Sequence, residues 1–148
     1  MRTFNLLFAT LGIAFLTSMT PAGGDPNEHT GISFTSGTWE ELLTKAKEEN
    51  KVVFIDAYAV WCGPCKMLSR NVFTDEQVGA YFNENFINAK IDMEKGEGPM
   101  LARKFGVTAY PTLIFAKPDG SIVHKAIGYH NPQQLIAVGQ QVISKTSN

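Results

Sequence analysis

Apolar positions along this chain follow two different rhythms. Val52 to Tyr58 is a near-continuous apolar run, rich in β-branched and aromatic side chains and interrupted only by Asp56. Such a run predicts a strand covered on both faces. Phe86 to Ile91, whose apolar positions are separated by Asn88 and Lys90, predicts another buried strand. Thr112 to Ala116 and Ser121 to Ile127 flank Lys117-Pro118-Asp119-Gly120, whose turn chemistry predicts a hairpin. Ile32-Ser33-Phe34 alternates and predicts a short edge strand.

The other rhythm is helical. Thr38 caps a helix beginning at Trp39, with Glu41 completing a capping box, and Trp39, Leu42, Leu43 and Ala46 form its apolar face as far as Asn50. A helix opens within residues 61–66 and runs to about Arg70. Thr74, with Gln77 at the capping-box position, then starts a second piece that runs to about Asn83. The loop Glu94 to Pro99 leads into a short helix around Met100 to Lys104. Asn131-Pro132 starts the last helix, whose apolar side is Leu135, Ile136, Val138, Val142 and Ile143. Strands alternating with helices and closed by a hairpin predict an α/β fold: a central mixed sheet of about five strands with helices on both faces.

The first residues depart from this pattern. Arg2 precedes an apolar stretch from Phe4 to Leu16, followed by the small-residue segment Thr17 to Gly24. A positive start, a short apolar core and small residues are the order of a secretory signal, and the run is shorter than the roughly 20 apolar residues a membrane span needs. We read residues 1–22 as a signal peptide directing export, to a periplasm in a bacterial cell, and 23–31 as a flexible linker rich in Gly, Pro and Asp. Residues 32–148 then form one domain. An uncleaved leader acting as an anchor and release outside the cell are the lesser alternatives.

Charge adds exclusions. The formal net charge is −1, and basic residues are spread rather than clustered, which predicts no nucleic-acid partner. His29, His124 and His130 share no ligand spacing, so the histidines suggest no metal.

The chemistry concentrates in Trp61-Cys62-Gly63-Pro64-Cys65-Lys66, which contains both cysteines of the chain. A thiol at a helix start faces unpaired N–H groups and the positive end of the helix dipole, and both favour thiolate over thiol. Cys62 is therefore the expected attacking sulfur and the more exposed of the two. Cys65, one turn on, is the shielded, resolving partner. A structural staple is the competing reading, but a bridge across so short a loop gives only about 2 kcal/mol even in the entropic model. Half a zinc site is another, but zinc calls for four ligands and the chain has no further thiol. Asp56, inside an apolar strand, is costly unless it has a partner or a purpose, and burial would suit it to accept a proton.

Phe54-Ile55-Asp56-Ala57-Tyr58-Ala59-Val60-Trp61-Cys62-Gly63-Pro64-Cys65, with Ala109-Tyr110-Pro111-Thr112 downstream, resembles the thioredoxin family over about Ile32 to Val142. The resemblance implies the thioredoxin fold and a redox-active disulfide between Cys62 and Cys65. It also implies that Asp56 takes the proton of Cys65, with Lys90 as its charged neighbour. Gly63-Pro64 matches the reducing members, and Pro111 matches a cis proline that holds the backbone of Tyr110 open to substrate. Trp61, Tyr110 and the Gly128-Tyr129 turn would complete an apolar rim for docking proteins.

The pattern Val72-Phe73-Thr74-Asp75-Glu76-Gln77-Val78 resembles exported thioredoxin-like proteins and the C-terminal domain of the transmembrane thiol–disulfide interchange protein. The resulting expectation is a monomeric protein-disulfide reductase without cofactor, acting on disulfide-containing proteins and recharged by an upstream dithiol donor. A disulfide oxidase or isomerase of the same fold, or a binding or chaperone module with idle cysteines, are the alternatives.

Overall fold

Strand β1, Val52–Tyr58, organises the molecule because its side chains alternate between two helical layers. In the computed structural model, which describes residues 30–147, β1 pairs in parallel with β2 (Phe86–Asp92) and antiparallel with β3 (Thr112–Ala116). β3 pairs antiparallel with β4 (Ile122–Ile127), giving the strand order β2-β1-β3-β4. The expected signal at 1–22 and linker residues 23–29 lie outside the described residues.

The helices are α1 (Trp39–Glu49), α2 (Gly63–Asn71), α3 (Glu76–Asn85), α4 (Gly98–Phe105) and α5 (Pro132–Thr146). α1 and α4 cover one face, where Trp39, Leu42, Leu101 and Phe105 pack on Val53, Ile55 and Ile114. α2, α3 and α5 cover the other, where Leu68, Phe82, Leu135 and Val142 meet Phe54, Leu113 and Phe115. Each such side chain, fully buried, contributes about 1.5–3 kcal/mol of transfer free energy. Among the described residues no helix is long and apolar enough to cross a membrane.

The sheet has four strands rather than about five. Ile32-Ser33-Phe34 is an extended strap, because its backbone partners do not form a ladder. The Ile32 N–H donates to Phe73 O at 2.7 Å, Ser33 N–H to Asn83 Oδ1 at 2.9 Å and Thr35 N–H to Asn88 O at 2.7 Å, so only the last bond reaches β2. Close approach fixes the strap: a Cβ on Gly79 would collide with the backbone of Thr30 and Gly31.

The break between α2 and α3 falls where expected and has a packing cause. Val72 and Phe73 are both buried, and Phe73 sets its ring edge-on against Phe34 and Phe54. The Val72 and Phe73 N–H groups both turn back to Leu68 O, at 3.0 and 2.9 Å, so the regular ladder of α2 ends there. The second start lies one residue later than predicted. Asp75 is the cap and accepts from Val78 N–H, while the Thr74 hydroxyl donates back to Arg70 O.

Candidate active site

At the C-terminal end of β1 the chain turns through Ala59, Val60 and Trp61 into α2. Cys62 is the N-cap of that helix, and its Sγ accepts the backbone N–H of Cys65 at 3.2 Å. Pro64 stands in the first turn, where its fixed φ suits the helix and its missing N–H costs nothing. Cys62 and Cys65 are joined as a disulfide, with Cα atoms 5.3 Å apart. The expected difference in exposure is absent: each cysteine is 3% exposed. Bonding sets the two sulfurs against one another, and Ala59 and Tyr110 pack on the pair.

Tyr110-Pro111 is the cis peptide bond of the described residues and leads into β3. Pro111 is buried, and its carbonyl accepts Gly128 N–H at 2.9 Å. This bond ties the turn after β4 to the cis proline. Gly128 has φ +90°, a left-handed conformation that glycine adopts without a side-chain penalty. The Trp61 ring meets Tyr110 edge-on with centroids 5.8 Å apart, and its Nε1–H donates to both carboxylate oxygens of Glu94 at 3.0 and 3.1 Å. Trp61 is nonetheless 65% exposed, and Val60, Met67 and Tyr129 are exposed too.

Beneath this rim lies a charged pair. Asp56 and Lys90 are register partners across β1 and β2, so their side chains share one face of the sheet. Lys90 Nζ donates to Asp56 Oδ2 at 2.6 Å and to Ser69 Oγ at 2.9 Å. The ammonium also faces the rings of Tyr58, Phe73 and Phe34, with centroids at 4.7, 5.1 and 5.6 Å. Asp56 is fully buried and its Oδ1 has no hydrogen-bond partner. Burial pushes the Asp56 carboxyl above the usual carboxylate range, against the opposing pull of the Lys90 charge and hydrogen bond.

A cleft of about 290 Å³ opens beside α2 and is lined by Tyr58, Cys65, Ser69, Arg70 and Lys90 among others. Cys65 and Lys90 therefore share a solvent-accessible space, with Asp56 bonded directly behind Lys90.

The likeness to known proteins follows the same residues. Residues 39–143 match the family model described as a thioredoxin-like domain. Thioredoxin H4 of Arabidopsis thaliana is 38% identical over 94 residues, covering 64% of this chain and 74% of that protein. A solved structure from Bacteroides thetaiotaomicron, provisionally named a disulphide-isomerase, superposes with TM-score 0.69 at 43% identity, over 76% of this chain and 93% of that one. The chain belongs to the thioredoxin-like family. The oxidised C-terminal domain of Neisseria meningitidis DsbD shares the fold, with TM-score 0.61 at 23% identity over 74% and 98% of the two chains.

As a thioredoxin-like oxidoreductase, the chain carries its vicinal disulfide at Cys62 and Cys65, with Tyr110 against it and Asp56 and Lys90 bonded to each other. Gly63 and Pro64 are exposed at the helix start. Sequence reasoning missed Ser69 and Glu94. Ser69 had a faint signal, being four residues after Cys65 and so on the same side of α2. Glu94 had none, since only the fold brings it to Trp61. A larger groove of about 580 Å³ lies at the opposite end of β1, between Lys51, Glu84, Lys117 and Ser147, and none of the predicted site residues lines it.

Proposed function

We propose that this thioredoxin-like protein reduces disulfides in partner proteins outside the cytosol. The observation that carries this reading is Cys62 at the N-cap of α2, its sulfur accepting a helix N–H, near an ion pair of buried Asp56 and half-buried Lys90. In the reduced protein the same N–H stabilises a Cys62 thiolate at neutral pH.

That thiolate attacks one sulfur of the partner's disulfide. A Cys62–partner bond forms, the partner's S–S bond breaks, and one partner thiolate leaves. Cys65 then gives its proton to the Asp56 carboxylate, by way of water in the cleft that Cys65 shares with Lys90, the residue to which Asp56 is bonded. The Cys65 thiolate attacks Cys62 Sγ, the second partner thiol is released, and the intrachain disulfide forms. The protein's dithiol loses two electrons and two protons, and the partner gains both. An upstream dithiol protein reverses the exchange and recharges the pair. A monomer suffices for every step, and no organic cofactor enters.

Gly63-Pro64 supports the reducing direction, since residues between the cysteines set the relative stability of thiolate and disulfide. Trp61, Tyr110 and Gly128 supply the docking rim, and the cis proline presents the Tyr110 backbone to an extended peptide as an added strand would be presented. The leader at 1–22 supports export to the periplasm, which cell fractionation tests with the full chain.

A disulfide isomerase is the second reading, favoured by the name given to the 43%-identical Bacteroides thetaiotaomicron protein. Reduction potential separates the two: about −270 mV for a reductase of the thioredoxin type, about −180 mV for an isomerase. Replacing Cys65 with Ser and isolating adducts from native extracts tests both. Partner proteins held on Cys62 are expected, and a Cys65→Ser protein free of adducts overturns the enzymatic reading.

A further inference from the structure

We propose that Ser69 is a positioning residue that holds the Lys90 ammonium against Asp56 and so sets the proton affinity of the site. The inference rests on the reductase reading for its purpose but not for its physics.

An ammonium has three donors and no acceptor. One donor of Lys90 goes to Asp56 Oδ2 and one to Ser69 Oγ, while aromatic rings of Tyr58, Phe73 and Phe34 stand around the head. The side chain is still 26% exposed, through the cleft that Ser69 also lines. Lys90 thus borders the cleft, and Ser69 is the hydroxyl there that holds its ammonium. Without the Ser69 oxygen, the freed N–H donates to water in the cleft instead, and the ammonium moves outward.

Asp56 is sensitive to that movement. Its Oδ1 has no hydrogen-bond partner, and Lys90 alone favours its charged form against burial. The other titratable or charged groups facing the pair are Cys65, Lys66 and Arg70 on α2, Tyr58 at the end of β1 and Asp92 at the end of β2. None of these makes a hydrogen bond to Asp56 among the described residues. Cys65 and Ser69 stand four residues apart on α2, so one helix carries both the thiol that loses the proton and the hydroxyl that steadies the acceptor's counterion.

Carbon-13 NMR of the Asp56 carboxyl, followed through pH in the oxidised protein, tests the assignment. Ser69→Ala is expected to raise the Asp56 midpoint by about half a unit or more. In a Lys90→Met background, the same substitution is expected to leave the midpoint where Lys90→Met alone puts it. An unmoved midpoint in Ser69→Ala, or an equal shift with Lys90 already gone, overturns the proposal. The titration needs no partner protein. It can therefore fail while disulfide reduction is intact, and it can succeed in a protein that reduces nothing.

Discussion

The two faces of the sheet are built from the same strands under different rules. Toward α1 and α4, β1 sends Val53, Ile55 and Ala57 into a layer of Trp39, Leu42, Leu101 and Phe105, with no buried charge among the described residues. Toward α2, α3 and α5 it sends Val52 and Phe54 into an aromatic cluster, and then, two residues on, Asp56. The first face is pure burial, so its contribution to stability is indifferent to pH. The second accepts a poorly solvated carboxyl at the end nearest the cysteines. One face is organised for cohesion, the other gives up some cohesion for a group that exchanges a proton.

The largest way to test that division is at the sulfur. Cys62→Ala is expected to abolish disulfide exchange, by about a thousand-fold or more in an insulin-reduction assay. The variant should unfold in urea at nearly the midpoint of the reduced wild type, because the α1–α4 face is untouched. Next comes the cohesive face itself. Ile55→Ala, at a side chain with no exposure, is expected to cost about 2–5 kcal/mol by urea denaturation. That loss should be the same at pH 5 and pH 8.

Asp56→Asn probes the other face and has the opposite sign. Burial raises the carboxyl's folded-state pKa above its unfolded value near 3.8, so the folded protein holds this proton more tightly than the unfolded chain does. Wild-type stability attributable to Asp56 is therefore full below the unfolded value. It falls as pH rises toward the raised folded value, and is level above that. Asp56→Asn is expected to remove this decline and to be the more stable protein at pH 8. The gain amounts to about 1.4 kcal/mol for each unit by which the folded midpoint exceeds the ordinary one. Urea melts of both proteins from pH 3 to pH 9 measure it, and a wild type whose stability rises over that window relative to the variant contradicts the two-face account.

Much of this arrangement was legible in the chain, for reasons that differ by element. β1 was visible because a strand covered on both faces must be almost continuously apolar, and Asp56 stood out for the same reason, while β2 was marked by Phe86, Ile87, Ala89 and Ile91 around Asn88 and Lys90. The box of Thr38 with Glu41 marked α1 because those two side chains satisfy orphan N–H groups locally. The start of α4 was hidden because Gly98-Pro99 suggests a loop, although proline is well suited to a first turn. The strap at 32–34 alternates as a strand does, and only its scattered partners show that it is not one. At the site, Cys62, Cys65, Asp56 and Lys90 were found through motif and resemblance; the fold joins the first two as a disulfide and the last two as an ion pair, with the two cysteines equally buried. Ser69 and Glu94 make contacts across 21 and 33 positions of sequence, and the place of Ser69 one turn after Cys65 was the only local sign of either.

The smallest effect lies on the rim, outside both faces. Trp61 is mostly exposed, so its removal uncovers little core, yet its indole N–H is held by Glu94 while its ring edge meets Tyr110. Trp61→Phe keeps the ring and loses the hydrogen bond. Stability should change by no more than about 0.5 kcal/mol, since surface substitutions rarely do more. If Glu94 serves to aim the ring at incoming protein, KM for a protein disulfide should rise by about two- to five-fold with kcat unchanged, because solvent competes for this exposed bond and leaves it at the low end of the about 0.5–1.5 kcal/mol net of an ordinary hydrogen bond. Glu94→Gln, which keeps an acceptor for the indole, should retain most of the wild-type KM. Equal KM values in Trp61→Phe and wild type would mean that ring area alone engages the partner. The rim would then belong with the cohesive face, as packing without direction.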